Sequence, residues 1–173
     1  SWSMAGLVDS HAHLQAAEFD LDRPAALERA RAAGVELIVL PSTNAASCRA
    51  GLALARDGAP VAPAAGLHPN AVGRAADEEW AAIRRLAAEP EIAAIGETGL
   101  DYYRDYAPRA DQERAFHAQI ELARATGKPL VIHTRAAEDD TVSTLKQRAH
   151  GLEVVMHCFS MPDRLDECLA EGW

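Results

Sequence analysis

Several features that mark common protein classes are scarce in this sequence of 173 residues. Its three cysteines have no paired spacing, which favours a reducing, cytoplasmic setting over a disulfide framework. No apolar run approaches the roughly 20 residues of a membrane-spanning helix, and no secretory signal pattern begins the chain, so we expect no membrane partner. Lys and Arg number 17 against 26 acidic residues, and the net charge of −9 argues against non-specific binding of nucleic acid by a broad basic face.

The sequence also lacks a Gly- or Ser-rich linker and any break in composition, so residues 1–173 are predicted to form a single domain. Short apolar, β-like runs alternate with Ala-rich helical stretches along the whole chain. The predicted strands cover residues 7–14, 36–42, 61–68, 92–100, 129–135 and 153–159. The predicted helices cover residues 24–33, 45–56, 76–88, 109–126, 138–149 and 162–171. This alternation predicts an α/β fold with a parallel sheet covered by helices.

Side chains that commonly bind metals recur where these predicted strands end. His11 and His13 follow an apolar run, and on a strand their i, i+2 spacing would place both imidazoles on one face together with Asp9. The later strands contribute His68, Glu97, His133 and His157. In a parallel α/β barrel the carboxyl ends of the strands converge on one mouth, so these residues predict a metal site there.

Each such residue also has an ordinary interpretation when it is taken alone. A histidine at a strand end can be a hydrogen-bonded core or loop residue, whereas Glu97 would be costly to bury without a metal or positive partner. His117 and His150 fall on a predicted helix and in a loop, and we interpret them as surface or packing residues. Cys158 is interpreted as a buried structural thiol, and the acidic pair at 139–140 as the N-terminal cap of the fifth helix.

Five segments together resemble one known family, in the order VDSHAHL, GLHP, IGETGLDYY, KPLVIHTRAAED and VMHCFS. They are similar to the TatD family of metal-dependent deoxyribonucleases, which belongs to the amidohydrolase-like superfamily. The resemblance extends over most of residues 7–160. It implies a (β/α)8 fold of the TIM-barrel type, of which about six β/α units are present in this chain.

The resemblance also implies a binuclear site, holding two divalent ions (Mg²⁺, Mn²⁺ or Zn²⁺), that hydrolyses phosphodiester bonds in DNA. The family's metal-ligand positions match His11, His13, Glu97, His133 and His157. Glu97 is expected to bridge the two ions, and His68 matches a histidine that helps to bind or orient the substrate, so both are candidate catalytic residues. Arg135, two residues after His133 on the same predicted strand face, is our own candidate for a phosphate contact.

The family closes eight strands and takes a final aspartate ligand from the eighth, whereas six β/α units are predicted here. We therefore expect a fragment with two open sheet edges and strongly reduced hydrolysis. The alternatives are a hydrolase of a small ester or amide, as elsewhere in the superfamily, and an inactive, truncated metal-binding homologue. Among nucleic acids, short ends or single strands are favoured over long duplexes because they need fewer backbone contacts from an acidic protein.

Overall fold

Six parallel strands and six α-helices alternate in the computed structural model, which describes residues 6–173. The strands are β1 (Leu7–Asp9), β2 (Val35–Leu40), β3 (Val61–Ala65), β4 (Ala94–Asp101), β5 (Leu130–Arg135) and β6 (Val154–Met156). The helices are α1 (Arg23–Ala32), α2 (Ala45–Arg56), α3 (Asp77–Ala87), α4 (Arg109–Thr126), α5 (Glu138–Arg148) and α6 (Leu165–Glu171). Three short 3-10 turns cover Ala17–Phe19, Val72–Arg74 and Pro162–Arg164.

The strands lie side by side in chain order, from β1 to β6, and every neighbouring pair is parallel. Each connection must therefore cross over to bring the chain back to the start of the next strand, and α1 to α5 lie in these crossovers. The sheet curls into an incomplete α/β barrel of the TIM type, which confirms the predicted fold class. No helix within residues 6–173 is both long and apolar enough to cross a membrane.

The largest apolar core lies between β4, β5 and helix α4. Phe116 and Ile120, spaced four residues apart, share one face of α4, where they pack with Ile95 and Leu100 of β4 and Ile132 of β5. All five side chains are fully buried. Burying apolar surface on this scale makes β4 and β5 the rigid centre of the sheet.

Two glycines allow β4 to lie unusually close to β5. Gly96 and Gly99 have φ angles of 156° and 141°, which side-chain-bearing residues rarely adopt. A Cβ atom at residue 96 would lie 2.6 Å from the carbonyl oxygen of Val131, and one at residue 99 would collide with that of His133. The register of the two strands also shifts between Gly96 and Thr98. The GETG segment therefore has a backbone that only glycine permits, and it holds Glu97 between the two glycines.

Several strand boundaries differ from those that the sequence predicts. β1 ends at residue 9 where the pattern predicts 14, β3 at 65 where it predicts 68, and β6 at 156 where it predicts 159. His11, His13, His68 and His157 consequently lie in loops just after their strands. Past these strand ends single backbone hydrogen bonds to the neighbouring strand remain, such as His157 N–H to the Ile132 carbonyl at 2.9 Å, whereas the His11 N–H donates to the Asp9 side chain at 3.0 Å. Conversely, β4 continues to Asp101, so Glu97 lies in the middle of a strand and not at its end.

Candidate metal centre

Glu97 lies at the centre of a cluster of histidines at the carboxyl edge of the sheet. Its side chain is only 5% exposed, and five histidines each place a ring nitrogen 2.9–3.8 Å from one of its carboxylate oxygens. These histidines are His11, His13, His68, His133 and His157. The structure therefore brings together all six side chains for which the sequence predicts a shared site.

The two oxygens of Glu97 face different histidines. Oε2 lies 3.3 Å from His11 Nε2 and 3.8 Å from His13 Nε2. Oε1 lies 2.9 Å from His133 Nδ1, 3.7 Å from His68 Nε2 and 3.8 Å from His157 Nε2. Two trios of potential ligands share this carboxylate, namely His11–Glu97–His157 and His68–Glu97–His133, each with its donor atoms within 4.8 Å of one another. One buried carboxylate thus links two places where a cation could be held.

The protonation states of the cluster fit a divalent cation. Burial, followed by the neighbouring charge of His11, lowers the pKa of both His13 and His157, so their rings are neutral and available as ligands at pH 7. Burial alone would raise the pKa of Glu97, but hydrogen bonds from His11 and His133 hold it well below its usual range. The buried Nδ1 of His11 has no hydrogen-bond partner within residues 6–173. Imidazoles around one anionic carboxylate are a donor set that Zn²⁺ and related divalent ions accept.

A backbone hydrogen bond fixes the tautomer of His68. Its Nδ1 accepts a hydrogen bond from the backbone N–H of Asn70 at 3.0 Å, so the proton of the neutral ring lies on Nε2. Burial lowers the pKa of His68 to about 4, against a partial opposing effect of Glu97, and the ring is neutral at pH 7. Nε2, the atom that faces the cluster, therefore carries a proton and donates. Although the distances around His68 would suit a metal ligand, this hydrogen bond leaves Nε2 as a hydrogen-bond donor.

Asp101, which the sequence motifs did not predict, also belongs to this site. It is 1% exposed, and its Oδ2 lies 2.9 Å from His133 Nε2 while its Oδ1 accepts the backbone N–H of Arg104 at 2.8 Å. His133 therefore lies between two carboxylates, because its Nδ1 is 2.9 Å from Glu97. Burial opposes protonation of His133, but these two contacts raise its pKa above the usual value. The available signal was a second carboxylate on the same apolar strand, four residues after Glu97.

Two buried glutamines of α4 fix the ends of the strands that carry the site. The Gln112 side chain accepts the backbone N–H of Asp101 at 2.8 Å and donates to its carbonyl at 3.1 Å. The Gln119 side chain does the same for Leu67, at 2.9 and 3.0 Å. Since Leu67 precedes His68, one helix positions both the end of β4 and the loop after β3. The sequence pattern does not single out these glutamines, because a polar residue on a helix is usually exposed.

Arg135 lies at the end of β5 with an exposed side chain, outside the hydrogen-bonded cluster. Its guanidinium carbon is 3.8 Å from the centre of the Tyr103 ring, which also lies exposed just after β4. Stacking on an aromatic ring holds a guanidinium in place while its N–H groups stay available. The structure thus places the predicted phosphate contact on the rim of the site.

Three interpretations of single residues need correction. Cys158 is exposed and not buried, because its own φ of 46°, two residues after β6, interrupts the alternation of strand side chains. The acidic pair at 139–140 lies in the first turn of α5, but no side chain caps that helix. Those two carboxylates instead accept hydrogen bonds from Arg164 and Tyr102, both at 2.7 Å. Asp9 is exposed and, apart from its bond to the His11 N–H, takes no part in the cluster.

A curled parallel sheet with a histidine–carboxylate cluster at the carboxyl ends of its strands defines an α/β-barrel protein with a candidate metal centre. Comparison with known families specifies this class further. The model of the family described as TatD related DNase matches residues 8–172. The chain belongs to this family, which confirms the resemblance found in the sequence.

Two curated relatives show how far the similarity extends. The chain is 38% identical over 170 residues to the 3'-5' ssDNA/RNA exonuclease TatD of Musicola paradisiaca, covering 96% of this chain and 64% of the relative. It is 36% identical over 155 residues to the uncharacterized metal-dependent hydrolase YabD of Bacillus subtilis, covering 89% of this chain and 61% of the relative. The chain thus spans less than two thirds of the length of these relatives.

Solved structures share the fold. The TatD homolog YJJV from Escherichia coli K12 superimposes with a TM-score of 0.87 at 28% identity, covering 96% of this chain and 65% of that one. A TatD family hydrolase from Entamoeba histolytica superimposes with a TM-score of 0.88 at 20% identity, covering 97% of this chain and 63% of that one. The second likeness concerns the fold alone.

Proposed function

We propose that this chain carries the binuclear metal site of a hydrolase that cleaves phosphodiester bonds at ends or in single strands of DNA. The observation that carries the proposal is the buried carboxylate of Glu97, with ring nitrogens of five histidines 2.9–3.8 Å away. A structural salt bridge needs one partner for such a carboxylate, whereas five imidazoles around one carboxylate are typical of metal binding. The names of the relatives, an ssDNA/RNA exonuclease and a metal-dependent hydrolase, support the same reaction class.

Glu97 is the proposed bridge between two cations, because its two oxygens face different sets of histidines. The remaining proposed ligands are His11, His13, His133 and His157. Bound divalent ions would supply Lewis-acid polarisation of the phosphodiester and a water of lowered pKa. The imidazoles suit Zn²⁺, whereas the carboxylate and water ligands also suit Mg²⁺ and Mn²⁺, so the donor set alone does not select the metal.

His68 and Arg135 are the proposed substrate contacts. The protonated Nε2 of His68 faces the cluster and would donate a hydrogen bond to an oxygen of the reacting phosphate. Arg135, held against Tyr103 on the rim, would bind the neighbouring phosphate of the strand. Both residues offer N–H hydrogen-bond donors and carry no negative charge. Such donors stabilise the negative charge that grows on the phosphate oxygens during attack.

Metal binding and hydrolysis by this chain test the proposal together. We expect about two divalent ions per chain by calorimetry and elemental analysis, and cleavage of a fluorescent single-stranded oligonucleotide that is slower than by a longer chain of the family and stops when EDTA is added. Glu97→Gln should lose both properties, since an amide is a weak metal ligand. His117→Asn is the matched control, because His117 lies on α4 and is not one of the residues around Glu97.

Cleavage that persists in EDTA, or in the purified Glu97→Gln variant, would contradict the proposal. Turnover of a small ester or amide with the oligonucleotide left intact would replace it by the alternative hydrolase. Stoichiometric metal binding with no turnover of either substrate would assign this chain to the inactive metal-binding alternative. The same assays on the TatD relative from Musicola paradisiaca provide the reference for a longer chain of the family.

A further inference from the structure

A cavity of about 710 Å³ opens next to the metal centre, on the side of His68. Its walls come from the loops after β2 and β3, the 3-10 turn Val72–Arg74 and the segment between β4 and α4. His68 belongs both to these walls and to the cluster around Glu97, so a ligand could occupy the two sites at once. The volume lies within the roughly 300–1,000 Å³ of sites for small organic molecules and cofactors.

Three side chains give the cavity a distinctive chemistry. Tyr106 is 64% exposed and offers a free aromatic ring, and Arg74 forms no ion pair with any residue in the described range 6–173. The Oδ1 atom of Asn70 is buried and has no hydrogen-bond donor within those residues. The Tyr106 ring offers a surface on which the base of a nucleotide can stack, and the Arg74 guanidinium can bind its phosphate. The Asn70 oxygen can accept a hydrogen bond from an exocyclic amine of the base or a sugar hydroxyl.

The cavity walls are held against each other by close packing. Gly73 lies so near the opposite wall that a Cβ there would be 3.3 Å from both the Tyr106 carbonyl oxygen and the Ala107 Cβ. The Ala107 carbonyl in turn accepts a hydrogen bond from the buried Gln112 side chain at 3.0 Å. The backbone at Tyr106 is therefore held in place through its neighbour Ala107, and the cavity is a formed part of the fold.

We propose that this cavity binds the nucleoside adjacent to the scissile phosphate, with its base stacked on Tyr106 and Arg74 near a flanking phosphate. The inference rests on the proposed function, since His68 connects the cavity to the phosphate at the metal centre. A base can enter such a cavity only when it is unpaired and unstacked from its neighbours, which costs several kcal/mol in a duplex. The cavity thus selects single strands and frayed ends, and it does so without reading the sequence.

Binding of a mononucleotide tests this inference without turnover, because a monoester has no diester bond to cleave. The probe is 2-aminopurine deoxynucleoside 5'-monophosphate, whose fluorescence is quenched on stacking, added to the metal-loaded chain. Tyr106→Ala should weaken its binding by roughly 5- to 150-fold, since stacking on an aromatic ring contributes about that factor per base. Tyr106→Phe, which keeps the ring, should bind within about threefold of the parent chain.

Deoxyribose 5-phosphate, which lacks a base, is the matched control ligand. It should bind more weakly than the nucleotide and respond equally in all three proteins. Equal affinity of the two ligands, or unchanged nucleotide binding by a folded Tyr106→Ala chain, would overturn the inference. Hydrolysis of bis(4-nitrophenyl) phosphate, a diester without a nucleobase, separates the two proposals. If the chain hydrolyses this diester but nucleotide binding does not depend on the base, only the proposed nucleoside-binding cavity is contradicted. If nucleotide binding depends on Tyr106 but no diester is hydrolysed, only the proposed hydrolase function is contradicted.

Discussion

Replacing Asp101 is expected to weaken metal binding although Asp101 itself need not contact a metal. Its Oδ2 lies 2.9 Å from Nε2 of His133, whose other nitrogen faces Glu97 at 2.9 Å. A carboxylate behind a histidine ligand holds the proton on the outer nitrogen, orients the ring and makes the inner nitrogen a better donor. Without Asp101, His133 would be free to rotate or to adopt the other tautomer, in which the nitrogen facing the cluster is protonated.

The expected losses of metal affinity and of folding stability follow from the contacts that Asp101 makes. Removing the outer partner of a metal-binding histidine typically lowers metal affinity by about 10- to 100-fold, which is about 1.4–2.8 kcal/mol. Asp101→Ala also leaves the His133 and Arg104 N–H donors without an acceptor, which should lower the free energy of unfolding by about 1–3 kcal/mol. Asp101→Asn keeps one acceptor oxygen for these two donors, so its metal affinity should fall between those of alanine and the parent.

Calorimetric titration with Mn²⁺ gives the affinity and stoichiometry of each variant, and thermal unfolding in EDTA shows whether the metal-free chain remains folded. Asp140→Asn is the matched control, because its carboxylate accepts the Tyr102 hydroxyl at 2.7 Å and lies outside the cluster. A folded Asp101→Ala chain that binds Mn²⁺ within about twofold of the parent would refute the positioning role, since the expected loss is at least about tenfold.

Three further substitutions test the framework around the site. Phe116→Ala should lower the free energy of unfolding in urea by about 3–5 kcal/mol because the ring is fully buried, whereas Leu21→Ala, which is fully exposed, should change it by less than about 0.5 kcal/mol. Gln119→Ala leaves the Leu67 backbone groups unpaired and should cost about 1–3 kcal/mol in the same assay. Gly99→Ala places a Cβ against the neighbouring strand at a φ of 141° and should lower both the melting temperature and the Mn²⁺ affinity. An unchanged melting temperature would contradict that account of β4.

The order of the secondary structure elements and the parallel sheet follow from local sequence signals. The bounds of α2 and α4 coincide with the predicted residues 45–56 and 109–126. For α4 the reason is visible at its C-terminus, where Gly127 adopts a left-handed φ of 67° that ends the helix. Strand ends were less predictable, because a strand stops where its neighbour no longer offers hydrogen bonds, and that depends on register between distant segments.

The membership of the histidine cluster was predictable because barrel topology carries strand ends to one edge, whatever the details of each strand. The role of Asp101 was not, because it depends on the register of β4 and β5, which places Asp101 opposite Arg135, two residues after His133. In β4 the usual alternation of buried and exposed side chains could not predict which residues face the site. Every residue from Ala94 to Asp101 is buried, and the register shift between Gly96 and Thr98 interrupts the two-residue period.

Helix α4 links the stability of the fold to the geometry of the site. Its apolar residues Phe116 and Ile120 fill the core, while the amides of Gln112 and Gln119 are buried only because backbone groups at two strand ends satisfy them. A buried amide without partners costs several kcal/mol, so each glutamine stabilises the fold only while its strand end stays in place. The same hydrogen bonds that make these buried polar residues tolerable therefore fix Asp101 and the loop of His68, and displacement of α4 would disturb the candidate metal centre from both sides.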